Sequence, residues 1–301
     1  MERATTTATR PAAPLPVLAR EEWEPLARRH AARVDVSVQP HLERRRRGVR
    51  HPVEDFLFDY YSHRPAALRR WHPGHGVVLA DAPEHRSTKA YVEVAGGVTV
   101  DDGFVEQRRT LVSSIRTLLA ATERRTPTLG CFGMHEWAMV YRLPQDDVRH
   151  AAWPLRLGPE GTDAVVEGHR ISCSHFDAFR FFTEEARPRN TLQPGRDDRP
   201  AFEQPGCLHA GMDLYKHAFR LSPMVGSDLV ADCFELARDI RVLDMRASPY
   251  DLSGLGYEPV RVETAEGKQE YVAAQRVLAE RGRPLRRRLV EACDRLLAVA
   301  A

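Results

Sequence analysis

What these 301 residues lack narrows the chemistry first. No run of about 18 apolar residues is present, so no helix is expected to span a bilayer. The opening stretch "MERATTTATRPAAPLPV" has no apolar segment of the kind a secretory signal needs, and residues 1–18 read as a disordered arm. No CxxC pair occurs. The five cysteines (Cys131, Cys173, Cys207, Cys233 and Cys293) are odd in number and dispersed, which fits reduced thiols in a cytoplasm better than a disulfide framework. Zinc-ribbon and iron–sulfur spacings are absent. So are a GxGxxG turn after a strand, a P-loop, a GxSxG elbow and the kinase signatures. "HEWAM" at 135–139 begins like a zinc-protease motif but carries Met139 where the second histidine belongs. A net charge of only +2 gives no global basic field of the sort nucleic-acid binders carry.

What is present is ordinary for a globular chain: 43% hydrophobic, 29% charged, mean hydropathy −0.45. Helical periodicity dominates. Helices are expected over 20–34, in two pieces of 51–71 broken near Pro65, and over 103–125, 130–141, 175–186, 207–220, 227–243 and 283–300. "AYVEVAGGVTVD" alternates about Gly96-Gly97 as a tight hairpin, and "DAVVEGHRIS" and "PVRVETAEGKQEYV" look like two shorter ones turning at Gly168 and Gly267. Strands and helices do not alternate one for one. The expected fold is therefore mainly α (α+β): one domain over 19–301 with a helical core and peripheral antiparallel β-hairpins.

Two segments carry chemistry. In "GCLHAGMDLYKHAF" (206–219), His209, Asp213 and His217 recur every four residues, along one strip of a helix. In the next helix Asp228, Asp232, Glu235 and Asp239 form an acidic stripe opposite an apolar face. A solvated acidic face neutralised by Arg238 and Arg241 is the plainer interpretation. The sharper one brings Asp232 and Glu235 against the preceding helix across the short turn "RLSPMVGSD". Facing helices that contribute carboxylates and histidines build dinuclear iron or manganese sites. The Glu-x-x-His spacing usual for such sites is missing.

Aromatic residues beside charges are the other signal. Helically spaced aromatics are mostly core, but Tyr60, Tyr61 and Trp137 each neighbour an acid or a histidine, and Glu136 adjoins Trp137. An aromatic wall beside a carboxylate can stack an extruded base and steady an oxocarbenium-like sugar. The loop "ARPRNTLQPGRDDRPAFEQPG" (186–206) is long and basic, the kind that covers or forms a site. The runs "RRRRGVR" and "RGRPLRRR" are either solvated, paired with carboxylates, or in contact with phosphate.

The segments "HPVEDFLFDYYSHRPAALRRWHPG", "CFGMHEWAMVYR", "RNTLQPGR", "CLHAGMDLYKHAFRLSP" and "DCFELARDIRVLDMRASPYDL" together resemble a group of actinobacterial proteins of about 300 residues that carry the name 3-methyladenine DNA glycosylase. The resemblance implies excision of alkylated purines from damaged double-stranded DNA by cleavage of the N-glycosidic bond, with no cofactor. The helix–hairpin–helix turn of other glycosylases is not found here: "LQPGRDD" and "EQPGCLH" lack its second glycine, and no catalytic residue carries over. On the residues themselves, Glu136 and Asp213 are the candidate catalytic carboxylates. Tyr60, Tyr61 and Trp137 are the candidate stacking residues, and Arg189 and Arg196 the candidate phosphate contacts. The alternative is a metal-dependent helical enzyme acting on a small molecule. It would use iron, manganese or zinc held by His209, Asp213, His217, Asp232 and Glu235.

Overall fold

The computed structural model describes residues 14–299. In chain order its elements are β1 (Val17–Leu18), α1 (Arg20–Arg46), α2 (Phe56–Tyr60), α3 (Pro65–Arg69), β2 (Val78–Leu79) and α4 (Pro83–Arg86). Then come β3 (Tyr91–Val94), β4 (Gly97–Val100), α5 (Asp102–Gln107), α6 (Arg109–Glu123), α7 (Met134–Ala138) and α8 (Gly158–Glu167). The last are α9 (Phe176–Phe179), α10 (Arg199–Phe202), α11 (Leu208–Leu221), α12 (Ser227–Arg246) and α13 (Ala265–Leu297). The protein is mainly helical, with a small sheet of order β1-β2-β4-β3. Among the described residues no helix is long and apolar enough to cross a membrane.

The hairpin at Gly96-Gly97 forms as expected, pairing Tyr91 with Val100 and Val94 with Gly97. Its partner β2 is joined on the far side by β1 in parallel, Val17 to Val78. Residues 17–18 of the expected arm therefore belong to the sheet, while 1–13 lie outside the described residues. The other two hairpins are corrected. Around Gly168 the chain is helical, because Thr162, Val165 and Val166 bury one face at helical spacing in α8. Before Gly267 the alternation of Val260 and Val262 is real, and both are fully buried. No partner strand follows, however. The Thr264 hydroxyl accepts from the Gly267 amide at 3.0 Å and starts α13. That helix begins at 265 rather than 283 and runs through Pro284, and α1 likewise runs through Pro40 to Arg46. Long helices tolerate the single backbone hydrogen bond that an internal proline removes.

The core sits where α11, α12, α13 and α6 pack together. Met212, Leu214 and Tyr215 from α11 meet Phe234, Leu236 and Ile240 from α12, and Leu278 and Leu289 from α13. Gly211 is the tight point: a Cβ there would lie 2.7 Å from Ile240 Cδ1, so the packed rotamer of Ile240 against α11 relies on the residue being glycine. This close approach turns His209 and Asp213 inward, towards α7 and the loop segments at 128–131, 172–175 and 204–207.

Candidate metal centre and the buried charged network

Three chain segments bring a cysteine each to one small cavity. Thr128, Cys131 and His135 come from the approach to α7; Ser172, Cys173 and Ser174 from the stretch before α9; and Gln204, Cys207 and His209 from the start of α11. Tyr271 and Gln275 of α13 complete the wall. The cavity measures about 20 Å³, room for about one water-sized group. Amide side chains clamp these segments to one another. Asn190 Oδ1 accepts from the Cys173 amide at 2.7 Å, and its Nδ2 donates to the Cys173 carbonyl at 2.9 Å. Gln204 takes the amides of Thr128 and Gly206 on its Oε1 at 2.8 and 2.7 Å. Gln275 Nε2 donates to the Gly206 carbonyl at 2.7 Å. A Cβ on Gly206 would lie 2.6 Å from the Thr128 carbonyl oxygen, so the two loops can touch only at a glycine.

Behind the cysteines lies a chain of buried ionisable groups. His135 Nε2 is 2.8 Å from Asp244 Oδ1, and Arg241 Nη1 bonds both Asp244 Oδ2 and Glu136 Oε1 at 2.9 Å. His135 Nδ1 faces Cys131 Sγ at 4.0 Å. The rings of His135 and His209 meet edge-to-face with centroids 4.4 Å apart. Donor atoms of His135, His209 and Asp244 all lie within 4.8 Å of one another, the one such group of three or more His, Cys, Asp or Glu among the described residues. Burial would raise the Asp244 carboxyl, yet the charge and hydrogen bond of His135, then His209 and Arg241, hold it well below the usual carboxylate range. Burial dominates at His209 and pushes its imidazole well below its ordinary value, aided by His135. At Cys173 burial raises the thiol, and the neighbouring charges of Cys131 and Cys207 raise it further.

A second knot of charge begins one helical turn along α11. Asp213 accepts from Tyr61 Oη at 2.9 Å, Arg199 Nη2 at 2.8 Å and Lys216 Nζ at 3.1 Å, and His175 Nε2 lies 3.4 Å away. Arg199 also donates to Glu203 at 2.5 Å, and Lys216 to Asp177 at 2.8 Å. Burial disfavours the charged form of Asp213, but His175 and Lys216 more than offset it and keep its carboxyl well below the ordinary range.

The expected site residues thus separate. His209 reaches the cysteine cavity. Asp213 is the centre of an ion-pair cluster whose oxygens are already engaged by donors. Burial lowers His217 to about 3, and neither of its ring nitrogens has a hydrogen-bond partner. Asp232 and Glu235 do not join these residues, and the five-residue ligand set is corrected accordingly. Both carboxylates clasp Arg33 of α1 at 2.6–2.7 Å, and Asp232 also holds Arg288 at 2.6 Å. The residues of α12 that do face the centre, Arg241 and Asp244, each stand nine positions further on. Nine residues is two and a half helical turns, which is the opposite face.

Of the aromatic candidates, Trp137 is corrected as a stacking residue. It is wholly enclosed, and its indole N–H donates to the Ala247 carbonyl at 2.8 Å. Tyr61 is committed to Asp213. Tyr60 does line a cleft of about 400 Å³, stacked on Phe56 with centroids 5.0 Å apart and joined by Arg50, Arg149, His150 and Trp153. Glu136 is buried against Arg241. Arg189 sits 3.6 Å from Glu167 and over the ring of Tyr141, whereas Arg196 is exposed. The basic loop 186–206 is pinned by Asn190 and delivers Arg199, which the sequence did not single out, into the Asp213 cluster.

Cys131, Cys173, Cys207, His175, Arg241 and Asp244 were not legible as site residues. One signal was available: Cys131-x-x-x-His135, Cys173-x-His175 and Cys207-x-His209 place a histidine shortly after each of these three cysteines, and after neither of the other two.

No protein-family description, curated protein or solved structure matches the chain.

Proposed function

We propose that this protein is a metal-dependent helical enzyme acting on a small molecule, with its ion in the cavity between α7, α11 and α13. One observation carries the reading: five side chains of metal-ligating type, Cys131, His135, Cys173, Cys207 and His209, line one cavity of about 20 Å³. Isolated buried cysteines and histidines are ordinary packing residues. Here five such side chains line one cavity on segments clamped by Asn190, Gln204 and Gln275, and two of them, His135 and His209, bring donor atoms within 4.8 Å of each other and of an Asp244 oxygen, the start of a donor set a transition metal could use. The His135–Asp244 pair adds the carboxylate–histidine arrangement that orients imidazoles at metal sites. Elemental analysis of the purified protein tests the reading: about one equivalent of iron, manganese or zinc per chain is expected, and metal-free protein would refute it.

Excision of alkylated bases from DNA is the second reading. Its support is the cleft of Tyr60, Phe56 and Trp153, where Arg50 and Arg149 could meet a phosphate beside stacked aromatic rings. Release of 3-methyladenine from methylated DNA by metal-free protein, abolished by Tyr60→Ala, would favour it over the first.

A further inference from the structure

Building on the reading that this cavity holds a metal, we propose that the ion is ferrous iron, bound on one face by His135, His209 and Asp244 and open on the other to a ligand the size of dioxygen. These three are the one group of metal-ligating side chains among the described residues whose donor atoms all lie within 4.8 Å of one another.

Their spacing is that of ligands at right angles. With bonds of about 2.1 Å, two donors at a right angle stand about 3.0 Å apart, and two at the tetrahedral angle about 3.4 Å. His135 Nε2 and Asp244 Oδ1 are 2.8 Å apart. Two imidazoles bound at a right angle through such bonds bring their ring centres to about 4.6 Å, against about 5.3 Å at the tetrahedral angle. Those of His135 and His209 are 4.4 Å apart, with their planes at 88°. Both comparisons favour a six-coordinate ion over tetrahedral zinc. Two histidines and one carboxylate on a single face are the donor set of non-haem ferrous iron. A hydrogen bond accounts by itself for the first contact but not for the placing of His209, whose ring nitrogens form no hydrogen bond among the described residues.

The ion enters the contact that orients His135. It takes the place of the hydrogen between Nε2 and Oδ1, which leaves as a proton. Asp244 keeps its other oxygen on Arg241 Nη1 at 2.9 Å, and Arg241 is held in turn by Glu136 at 2.9 Å, so the carboxylate ligand is fixed from behind. Both histidines line the cavity and Asp244 does not, so the open face turns towards the cavity. A volume of about 20 Å³ admits a water or a diatomic molecule and no larger substrate. With Arg241, Asp244 and Glu136 around it, a divalent ion leaves one positive charge unbalanced. That favours a ligand which carries or accumulates negative charge.

The test is anaerobic loading of chelator-treated protein with iron(II), followed by nitric oxide as the diatomic probe and EPR. The wild type should bind about one iron and give the quartet-spin signal of a ferrous nitrosyl with nitrogen and oxygen ligands. His209→Gln and Asp244→Asn should each bind iron about tenfold or more weakly, while His217→Gln, on the same helix as His209 but off the cavity, should bind as the wild type does. The doublet signal of a sulfur-bound dinitrosyl overturns the ligand assignment, and bound iron that takes up no nitric oxide overturns the open face. Either result leaves the metal reading standing. Zinc bound where iron(II) is refused overturns the choice of ion alone, whereas protein that takes up neither metal removes the metal reading itself. Because a misfolded variant also loses iron, X-ray absorption of the iron-loaded wild type gives an independent readout. A shell of nitrogen and oxygen at about 2.1 Å is expected, and sulfur at about 2.3 Å contradicts the assignment.

Discussion

His135 and Asp244 meet through a 2.8 Å hydrogen bond although 109 residues separate them in the chain. That contact joins the short helix α7 to the end of α12, and every charged group around it is paired in turn. Arg241 is the counter-ion of both Asp244 and Glu136 and is itself only 1% exposed. Replacing Arg241 by methionine keeps its bulk but leaves the buried Glu136 without a cation and Asp244 with His135 alone. Stability should fall by about 3–5 kcal/mol in urea denaturation. An unchanged midpoint would show that water already screens these acids.

Asp213 should behave as a structural residue. Asp213→Asn keeps the shape but removes the charge that balances Arg199 and Lys216, both of which are held against it at about 3 Å. A loss of about 3–5 kcal/mol is expected, with Asp213→Ala at least as damaging. A variant that folds with wild-type stability would return Asp213 to the list of catalytic candidates.

Acid should destabilise the fold well above the carboxylate range. Burial lowers the imidazole of His72 to about 3, with His85 and Arg70 contributing, and burial lowers His63 and His150 to about 4. Each is neutral in the fold but takes up a proton on unfolding once the pH is below its ordinary 6.5. Their stabilising contribution is complete above pH 6.5. It falls as the pH drops towards 4, and stops changing once the folded values are passed. At pH 5 the loss from His72 alone is on the order of 2 kcal/mol. Urea midpoints at pH 7.5 and pH 5 measure this directly, and equal midpoints would contradict it.

Gly211→Ala tests the close approach of α11 to α12. The new methyl would meet Ile240 Cδ1 at 2.7 Å and force that side chain into another rotamer, so a net loss of up to about 1 kcal/mol is expected even after alanine's better helix propensity. Adding Ile240→Val removes that Cδ1 and should restore most of the loss. Equal damage in the double variant would place the strain elsewhere.

Local patterns in the sequence account for much of the fold. The hairpin at Gly96-Gly97 and helices α11 and α12 are legible because alternation, turn glycines and helical periodicity are all local signals. The start of α13 was hidden because Pro284 looks like a first-turn residue, when it stands within a helix already under way. The centre itself was only half legible. His209 was visible on its strip, but Asp213 beside it belongs to a different cluster. On α12 the conspicuous acids Asp232 and Glu235 face α1, while Asp244 lies on the opposite face. Cys131, Cys173 and Cys207 stand far apart in the chain, and only tertiary contacts bring them to one cavity. Dispersal in sequence was therefore a poor guide to whether these cysteines share a cavity.

A metal that binds the native cavity and not the unfolded chain must stabilise the fold, by roughly 2.7 kcal/mol at a hundredfold excess over Kd. The most direct test of a metal centre in this cavity is the melting temperature of chelator-treated, reduced protein with and without added zinc. It is read alongside the same protein carrying His135→Gln and His209→Gln together. Zinc should raise the wild-type Tm by about 5–10 °C and leave the double variant unmoved. A wild-type Tm that zinc and iron(II) both fail to shift, or a shift that survives in the double variant, would contradict a metal in this cavity.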